Sequence, residues 1–377
     1  MNRFVILFSI CYLLMLLCDW GARLVPCHFG YHAAHFYMLD QVGEKTRYYR
    51  KNAVYEQNIH GYLSSLLGIA HYKYYHHERM TTDYKGLRMS CEPNPQGIWP
   101  VTVVGDSFAF GSYNSDEEIL SAKLQESLQA PVRNLAFPGN AVIPMIDLLR
   151  RKEKLSPLII WGLTERGISK QAFALIENLD KPGTLDWEKA APATYGFEQF
   201  KEWFAVHAKD SFVRYLANSL WANVKFYIFR DIPKDLWTPL HHDMLFFREG
   251  VEKMGQNVDA AALDMIAGGA EKLVRKASLN GADVLILLIP DKCTVYPEYI
   301  SDPQRQENLE KNRFLDHIET AFKKRNLRVI NFRPIFAARK AEGLLYFQDD
   351  THWNPCGINI AAEEITAYLK SHKIFSK

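Results

Sequence analysis

From residue 100 onward, short apolar runs alternate with stretches in which apolar residues recur at helical spacing. The runs are VTVVG (101–105), VRNLAF (132–137), PLIIWGL (157–163), DVLILLIP (283–290) and RVINFR (328–333). Between the first two runs, Leu120, Leu124 and Leu128 recur every four residues, as on one face of a helix. Uninterrupted apolar runs are typical of strands that are buried on both faces. The alternation therefore predicts an α/β fold, with a parallel sheet of about five strands and helices on both faces.

The chain begins with a separate apolar segment, FVILFSICYLLMLLC (4–18), which follows Arg3. Its length is close to that needed to cross a membrane. The sequence that follows, CDWGARLVPC, lacks the small residues of a signal-peptide cleavage site. We therefore expect residues 1–25 to be an uncleaved signal anchor with the globular body outside the cytoplasm. A cleaved signal peptide and a buried core helix are the alternatives.

Two further boundaries divide the rest of the chain. Residues 26–98 form an N-terminal extension that is rich in His and Tyr, and SCEPNPQGIWP (90–100) is a boundary loop with three prolines. Residues 99–375 form the α/β domain, which a largely helical insertion interrupts at about 170–256. The histidines between His71 and His77 could bind a metal, but an aromatic-rich surface segment explains them more simply.

Composition excludes several classes of protein. The 377 residues are 48% hydrophobic and 23% charged, with a net charge of +2. A disordered chain and a strongly basic nucleic-acid-binding protein are both poor matches to these values. Six cysteines are present, but no cysteine or histidine spacing predicts a zinc site. Disulfides are possible outside the cytoplasm, and a bond between Cys293 and Cys356 is one option.

The first strand of the predicted sheet ends in a candidate nucleophile. The run VVGDSFAFG puts Ser107 just after the strand, at the start of the next helix. Ligands of open α/β sheets bind at the carboxyl ends of the strands. A serine at this place can attack an ester, and its own backbone N–H can stabilise the resulting oxyanion. The alternative is that Asp106 and Ser107 only cap the helix.

A second candidate site, QDDTHWNPCG (348–357), precedes the last helix. His352 follows Asp350 by two residues and Asp349 by three, so either carboxylate could orient the imidazole ring. A surface Asp-His pair is the alternative. Because Ser107 and His352 should both lie at the same edge of the sheet, the two segments together indicate a Ser-His-Asp catalytic set.

These segments resemble the SGNH/GDSL hydrolase superfamily. The resemblance rests on GDSF after a strand, on VRNLAFPGN, and on an Asp-His motif before the last helix. Three further segments, IIWGLTERG (159–167), IPDKCTVYPEYI (289–300) and DDTHWNPCG (349–357), resemble the alginate-type polysaccharide O-acetyltransferase branch. Two features depart from the pattern. In the alginate-type branch the Asp-His pair precedes the nucleophile in the chain, whereas here Ser107 comes first. Many SGNH enzymes have an Asn after the third strand, whereas WGLTER has none.

The resemblance implies an SGNH-hydrolase-like (flavodoxin-like) sheet and an acetyltransferase that works through acetyl-serine. It also implies Gly139 as an oxyanion donor beside the Ser107 N–H, with Asn140 as a substitute for the missing Asn. The DTHW motif of the branch favours Asp350 as the acid that orients His352, with Asp349 as the alternative. No cofactor and no metal are implied. The partners would be a polysaccharide acceptor and a membrane-bound O-acyltransferase that supplies acetyl groups to a periplasmic domain anchored in the inner membrane.

Three residues just past strands are candidates for substrate binding: Arg166, Lys292 and Tyr296. A structural ion pair, such as Glu165 with Lys292, and simple packing of Tyr296 are the alternatives. Two other functions remain open at this point. One is a GDSL-type carbohydrate esterase or deacetylase, and the other is a non-catalytic polysaccharide-binding assembly protein.

Overall fold

A computed structural model gives the fold over most of the chain. The described residues are 3–23, 39–42, 46–49, 51–90, 99–150, 154–178, 212–229, 244–253, 259–300 and 302–374. Every structural statement below concerns these residues. Within them, the structure has fourteen α-helices and nine strands.

The centre of the molecule is a five-stranded parallel sheet, as predicted. The nine strands are β1 (Leu39–Val42), β2 (Thr46–Tyr49), β3 (Val54–Ile59), β4 (His76–Thr81), β5 (Val101–Val104), β6 (Val132–Asn134), β7 (Leu158–Thr164), β8 (Asp283–Ile289) and β9 (Arg328–Asn331). The order in the central sheet is β6-β5-β7-β8-β9, and all four pairings are parallel. Because the strands are parallel, all five carboxyl ends lie at one edge.

Helices cover both faces of this sheet. They are α1 (Arg3–Arg23), α2 (Tyr62–Leu67), α3 (Ser107–Phe110), α4 (Leu120–Leu128), α5 (Val142–Arg150), α6 (Lys170–Ala174), α7 (Phe212–Phe229), α8 (Arg248–Lys253), α9 (Ala260–Leu279), α10 (Lys292–Val295), α11 (Pro303–Glu310), α12 (Phe314–Lys324), α13 (Phe332–Arg339) and α14 (Pro355–Ser371). One apolar cluster joins the sheet to α4, α13 and α14, and a second joins it to α5, α9 and α12.

Burial explains why the apolar runs form the central strands. All seven residues of β7 are buried, and so are six of the seven in β8. Each buried aliphatic side chain contributes about 1.5–3 kcal/mol to folding relative to an exposed one. Leu120, Leu124 and Leu128, which recur every four residues in the sequence, are all buried on the inner face of α4. The amphipathic pattern therefore sets which face of the helix packs on the sheet.

The N-terminal extension contains strands that the sequence did not predict. β3 and β4 form an antiparallel hairpin-like pair from Val54↔Thr81 to Ile59↔His76, and β1 pairs with β2. The segment between β3 and β4 carries α2 and packs its buried Leu63, Leu67 and Tyr72 against Phe226 and Leu245. The extension is therefore joined to the body by an apolar contact of its own.

The N-terminal helix and the insertion also match their expected types. α1 is apolar and long enough to cross a membrane, and nearly all of its side chains are exposed. Between β7 and β8, the described residues include the helices α6, α7, α8 and α9. Residues 179–211, 230–243 and 254–258 of the expected insertion lie outside the described residues. The domain boundaries at 25/26 and 98/99 remain predictions.

Candidate active site

Ser107 lies at the first residue of α3, directly after the turn that ends β5. Gly105 in this turn has a φ of +150°, and a Cβ on it would lie 2.7 Å from the carbonyl oxygen of Gly162. Only glycine fits this approach to β7 without strain. Asp106 then caps α3 by accepting a hydrogen bond from the N–H of Phe108 at 3.0 Å. The capping role considered for this segment is thus filled by Asp106, and the hydroxyl of Ser107 has another partner.

His352 comes to the same edge on the loop before α14. The backbone closes this loop with an isolated bridge between Tyr346 and Trp353. The indole Nε1 of Trp353 donates to the carbonyl oxygen of Phe108 at 3.0 Å. Asn114 donates from its Nδ2 to the carbonyl oxygen of Trp353 at 3.2 Å. These two bonds join the histidine loop to the segment that carries Ser107.

Ser107, His352 and Asp350 form a continuous hydrogen-bonded chain. The Oγ of Ser107 lies 2.7 Å from Nε2 of His352, and Nδ1 of His352 lies 2.5 Å from Oδ1 of Asp350. An ionised Asp350 can only accept, so Nδ1 carries the proton and Nε2 is free to accept from the serine hydroxyl. Asp350 is fully buried and His352 nearly so, whereas Ser107 is partly exposed. A substrate can therefore reach Ser107 while the carboxylate of Asp350 stays shielded from solvent.

The rings around His352 fix its plane. Tyr113 stacks on it with a centroid separation of 5.5 Å and an interplanar angle of 27°. The centroid of the Phe108 ring lies 4.9 Å from that of the imidazole. Sequence reasoning missed both aromatic contacts, because neither residue is near His352 in the chain. Packed rings of this kind limit the rotamers of the imidazole, which keeps both of its nitrogens aligned.

The two adjacent aspartates have different environments. Burial would raise the pKa of Asp350, but the His352 ring and hydrogen bonds from His352 and from the N–H of Tyr62 outweigh it and lower the pKa to about 2. Burial raises the pKa of Asp349, and the neighbouring Asp350 adds to the rise. Asp350 is therefore ionised at neutral pH and is the carboxylate that faces the imidazole.

Asp349 instead binds the N-terminal extension. Its Oδ2 accepts hydrogen bonds from the N–H of Gly61 at 2.8 Å, the N–H of Tyr74 at 3.0 Å and the hydroxyl of Ser64 at 3.0 Å. The N–H of Tyr62 donates to Oδ2 of Asp350 at 2.9 Å. We call residues 61–74 the clasp, because this segment holds both carboxylates. No local pattern predicts the clasp, since its hydrogen bonds join residues 275 to 288 positions apart.

The oxyanion candidates lie on the loop after β6, the strand beside β5. The N–H of Phe137 donates to the carbonyl oxygen of Gly105 at 3.0 Å, which ties this loop to the turn before Ser107. Gly139 is exposed, has a φ of +127° and has open space where a Cβ would lie. Asn140 accepts from the N–H of Val142 at 2.8 Å and so begins α5 as a cap. The cap explains Asn140 without any role in catalysis.

Arg166 reaches the edge where Ser107 lies. Its guanidinium forms an ion pair with Asp291 and donates to Oγ1 of Thr351 at 3.0 Å. It also lies 5.1 Å from the centre of the Phe108 ring. Because Thr351 precedes His352 and Phe108 follows Ser107, Arg166 connects both halves of the site. It is the one of the three substrate-binding candidates that stays partly exposed.

Lys292 and Tyr296 point into the protein, contrary to their predicted contact with substrate. The Nζ of Lys292 donates to the carbonyl oxygens of Leu245, Phe347, Gln348 and Asp350 at 2.6–2.9 Å. Burial lowers the pKa of Lys292 to about 7, with Asp350 and Asp349 acting in the opposite direction. The hydroxyl of Tyr296 accepts from the N–H of Leu345 at 3.0 Å. Both residues are 2% exposed, so they fix the loop 345–350 instead of facing solvent.

Glu165 is also buried, and its partners differ from the ion pair considered with Lys292. Its carboxylate accepts from the N–H of Asp291 at 3.0 Å and from Nδ2 of Asn312 at 2.9 Å. Burial, followed by the charge of Asp291, raises the pKa of Glu165 to about 7. Arg88, which sequence reasoning missed, is buried beside α3 and donates to the carbonyl oxygen of Gly111 at 2.8 Å. Both charges stabilise the loops that carry the site.

The disulfide considered between Cys293 and Cys356 is absent. Both sulfurs are free thiols, with Cys293 buried and Cys356 partly exposed. Cys27 and Cys91 lie outside the described residues. Within the described ranges, no group of three His, Cys, Asp or Glu side chains could hold a metal ion. His76 and His77 have other partners, the carbonyl oxygen of Tyr113 and the carboxylate of Glu56.

Comparison with known proteins shows what the C-terminal part of the chain is similar to. Residues 242–377 match the family model described as the SGNH hydrolase-like domain of the acetyltransferase AlgX. The resemblance to the SGNH superfamily, in its alginate-type O-acetyltransferase branch, is confirmed. The matched region of this SGNH-like chain contains Asp350 and His352, whereas Ser107 lies outside it.

Two curated relatives carry the name probable alginate O-acetylase AlgJ. The one from Pseudomonas syringae pv. tomato is 28% identical over 171 residues, which is 43% of this chain and 41% of the relative. The one from Pseudomonas putida is 24% identical over 171 residues, which is 44% of this chain and 41% of the relative. The alignments therefore span about two fifths of each relative's length.

Proposed function

We propose that this chain is a membrane-anchored, extracytoplasmic O-acetyltransferase that acts on a polysaccharide through an acetyl-serine intermediate. The observation that carries the proposal is the hydrogen-bonded chain from Ser107 through His352 to Asp350. The names of the two relatives support an acetylated polysaccharide as the acceptor. The apolar helix α1 supports an anchored protein.

In the first half-reaction, Ser107 takes the acetyl group from its donor. His352 accepts the hydroxyl proton at Nε2 while Oγ attacks the acetyl carbonyl carbon. The ionised Asp350 stabilises the resulting imidazolium through Nδ1. The bond to the donor's leaving group then breaks, and His352 gives its proton to that group. The N–H groups of Ser107 and Gly139 stabilise the oxyanion formed on the way.

In the second half-reaction, a sugar hydroxyl replaces the leaving group. His352 takes the proton of the hydroxyl as the oxygen attacks acetyl-Ser107, and the serine leaves with that proton. The products are an O-acetylated sugar and free Ser107. Water in place of the sugar would give acetate, so acceptor binding beside Arg166 and exclusion of water decide between transfer and hydrolysis.

The location and the donor are part of the same proposal. The α/β domain lies in the periplasm, on the outer side of an inner membrane that α1 spans. No acetyl-CoA is at hand in that compartment, so a membrane-bound O-acyltransferase partner passes acetyl groups across the membrane to Ser107. We expect no cofactor and no metal for the reaction.

Incubation with an activated acetyl ester, with and without acidic or neutral oligosaccharides, tests this function. Mass spectrometry of the intact chain should detect one added acetyl group, and a peptide map should assign it to Ser107. The oligosaccharide should gain acetyl groups with the unaltered chain and none when the protein is left out. Ser107→Ala and His352→Ala should abolish both signals, while the control Ser371→Ala, at an exposed position in α14, should keep them.

Two other outcomes correspond to the alternative functions. Release of acetate at an undiminished rate with every acceptor, and no acetylated sugar, would favour a carbohydrate esterase or deacetylase. Full acetylation of the polymer in cells that carry Ser107→Ala would favour a non-catalytic assembly protein. Either result would refute the transfer reaction proposed above.

A further inference from the structure

The long helix of the insertion, α7, packs on the protein through a side that is partly polar. The residues that face the body follow one stripe, Ser219, Ala222, Asn223 and Phe226, at the spacing of a helix face. Two of them are polar and are bonded to the clasp. Ser219 donates to the carbonyl oxygen of Gly68 at 2.8 Å, and Asn223 donates to the same oxygen at 2.9 Å. The side of α7 that packs on the protein is thus partly polar.

Outside this stripe, the large apolar side chains of α7 are exposed. We call them together the outer face, and its members are Leu216, Leu220, Trp221, Tyr227, Ile228 and Phe229. Leu220 and Ile228 are each 68% exposed. Asn218 and the half-buried Lys225 are its polar neighbours, and the Nζ of Lys225 lies 5.6 Å from the centre of the Trp221 ring. A soluble protein seldom presents so many large apolar side chains on one helix.

The position of α1 indicates what covers this face. α1 is exposed along its apolar length but is held at its carboxyl end, where the buried Asp19 accepts a hydrogen bond from the N–H of Val213 at 3.0 Å. Val213 is in the first turn of α7, where helix N–H groups favour a carboxylate. Where α1 spans a membrane, Asp19 is near its polar boundary, so α7 begins at that boundary.

From this continuity we propose that α7 is an interfacial helix, whose outer face inserts into the lipid of the outer leaflet beside α1. This inference rests on the anchor in the proposed function. Trp221 and Tyr227 have the amphipathic rings that are enriched at membrane interfaces. Lys225 can extend its ammonium group toward anionic headgroups while its stem remains against the helix. The body then docks on the bilayer along α7 and is not suspended from α1 alone.

Photocrosslinking of the full chain in phosphatidylethanolamine/phosphatidylglycerol nanodiscs tests the inference. Leu220→p-benzoylphenylalanine and Ile228→p-benzoylphenylalanine place the reactive group on the outer face. The matched control, Leu279→p-benzoylphenylalanine, is at the end of α9 and is 79% exposed. A fourth variant at Leu13 reports on α1. Irradiation followed by mass spectrometry should give phospholipid adducts at 13, 220 and 228, at yields several-fold above position 279.

The other outcomes would refute the interfacial helix, the anchor or both. Adducts at 13 but not at 220 or 228 would leave the anchor intact and refute the interfacial helix. Chain-to-chain adducts at 220 or 228 would mean that a second copy covers the outer face, which also refutes it. An absence of lipid adducts at 13 would refute the anchor and the inference with it. Unchanged hydrolysis of an acetyl ester by each variant shows that the chain is folded.

Discussion

Asp349 and Asp350 are consecutive in the chain, yet the carboxylate of Asp350 binds the His352 ring while that of Asp349 binds the backbone of the clasp. The first contact is the one that the proposed chemistry needs, and the second attaches the N-terminal extension to the catalytic loop. The pair therefore separates two effects that a mutation could have, one on the chemical step and one on the stability of the loop.

The first prediction compares the two aspartates. Asp350→Asn presents an amide to Nδ1 of His352, which favours the wrong tautomer and removes the charge that stabilises the imidazolium. We expect kcat for acetyl ester turnover to fall on the order of 10³-fold or more. Asp349→Asn retains an oxygen for the three clasp donors and should lower kcat less than about tenfold, an effect of about 1.4 kcal/mol at most.

Steady-state kinetics with an activated acetyl ester and circular dichroism spectra of both variants provide the measurement. Equal losses of kcat in the two variants would mean that Asp350 has no special role. A larger loss in Asp349→Asn, with its fold retained, would assign the orienting role to Asp349.

The second prediction concerns the close contact at Gly61. A Cβ on Gly61 would lie 2.1 Å from the carbonyl oxygen of Asp349, so Gly61→Ala must push the clasp away from the loop. The donors to Asp349 and Asp350 would then be lost together. We expect a destabilisation of about 2–4 kcal/mol and a lower kcat at temperatures where the chain is still folded.

Gly268→Ala is the matched control, because its Cβ would meet only the guanidinium of Arg325, at 3.8 Å. Gly268 lies inside α9, where alanine is favoured over glycine by up to about 1 kcal/mol. The midpoint temperature of thermal unfolding should fall for Gly61→Ala and rise slightly for Gly268→Ala. A Gly61→Ala chain as stable and active as the original would show that the clasp is not needed.

The third prediction distinguishes a structural Lys292 from a substrate-binding one. Lys292→Met removes the buried ammonium group that binds the carbonyl oxygens of Leu245, Phe347, Gln348 and Asp350, so we expect a loss of about 3 kcal/mol or more in the free energy of unfolding. Lys311→Met, at an exposed surface pair with Glu307, should change stability by less than about 0.5 kcal/mol.

The kinetic result should follow the structural role. Because Lys292 is buried and contacts the loop, Lys292→Met should lower kcat and leave KM for an oligosaccharide acceptor nearly unchanged. A selective rise in KM for charged oligosaccharides, with kcat and unfolding unaltered, would restore the substrate-binding role that the sequence predicted.

The fourth prediction is a pH dependence of stability from Glu165. Its pKa in the folded chain is raised from 4.5 to about 7, so the folded state holds a proton that the unfolded state has lost in this interval. This contribution to stability is complete below about pH 4.5 and is lost as the pH rises through about 7. The total for one group is on the order of 3 kcal/mol.

Glu165→Gln cannot ionise, so its stability should fall less between pH 5 and pH 7 than that of the original chain. Glu310→Gln, an exposed residue in α11, should keep the original profile. Urea unfolding of the detergent-solubilised chain at several pH values measures the difference. Parallel profiles for Glu165→Gln and the original chain would disprove the raised pKa of Glu165.

Much of the fold followed from local patterns. All five central strands coincide with the predicted runs. The inner strands β7 and β8 are buried at nearly every position and are therefore almost wholly apolar, whereas the edge strands β6 and β9 include Arg133 and Arg328. β3 and β4 were missed because VYEQNI and HHERMT are mostly polar and are held by pairing with each other. Pairing of this kind depends on residues 17 to 27 positions away, and no local period reveals it.

The candidate site was predictable only in part. Ser107 and His352 could be brought together because the carboxyl ends of parallel strands share an edge. The DTHW motif favoured Asp350 as the orienting acid. The hydrogen bonds of Asp349 to the clasp and those of Lys292 to the carbonyl oxygens of Leu245 and Phe347 had no local signal. These contacts exist only after distant segments have packed, so residue type and spacing suggested a solvent-facing cation where the fold buries one.

The clasp also has a consequence for how the chain is made. Gly61 and Tyr62 are synthesised 288 residues before the carboxylates that they hold. The early segment can therefore form these contacts only after nearly the whole polypeptide has been made. Closing so long a loop costs entropy that only the completed contacts offset. A chain interrupted between Ser107 and Asp350 would carry the proposed nucleophile without the base and the acid that orients it, and we expect it to be inert toward esters.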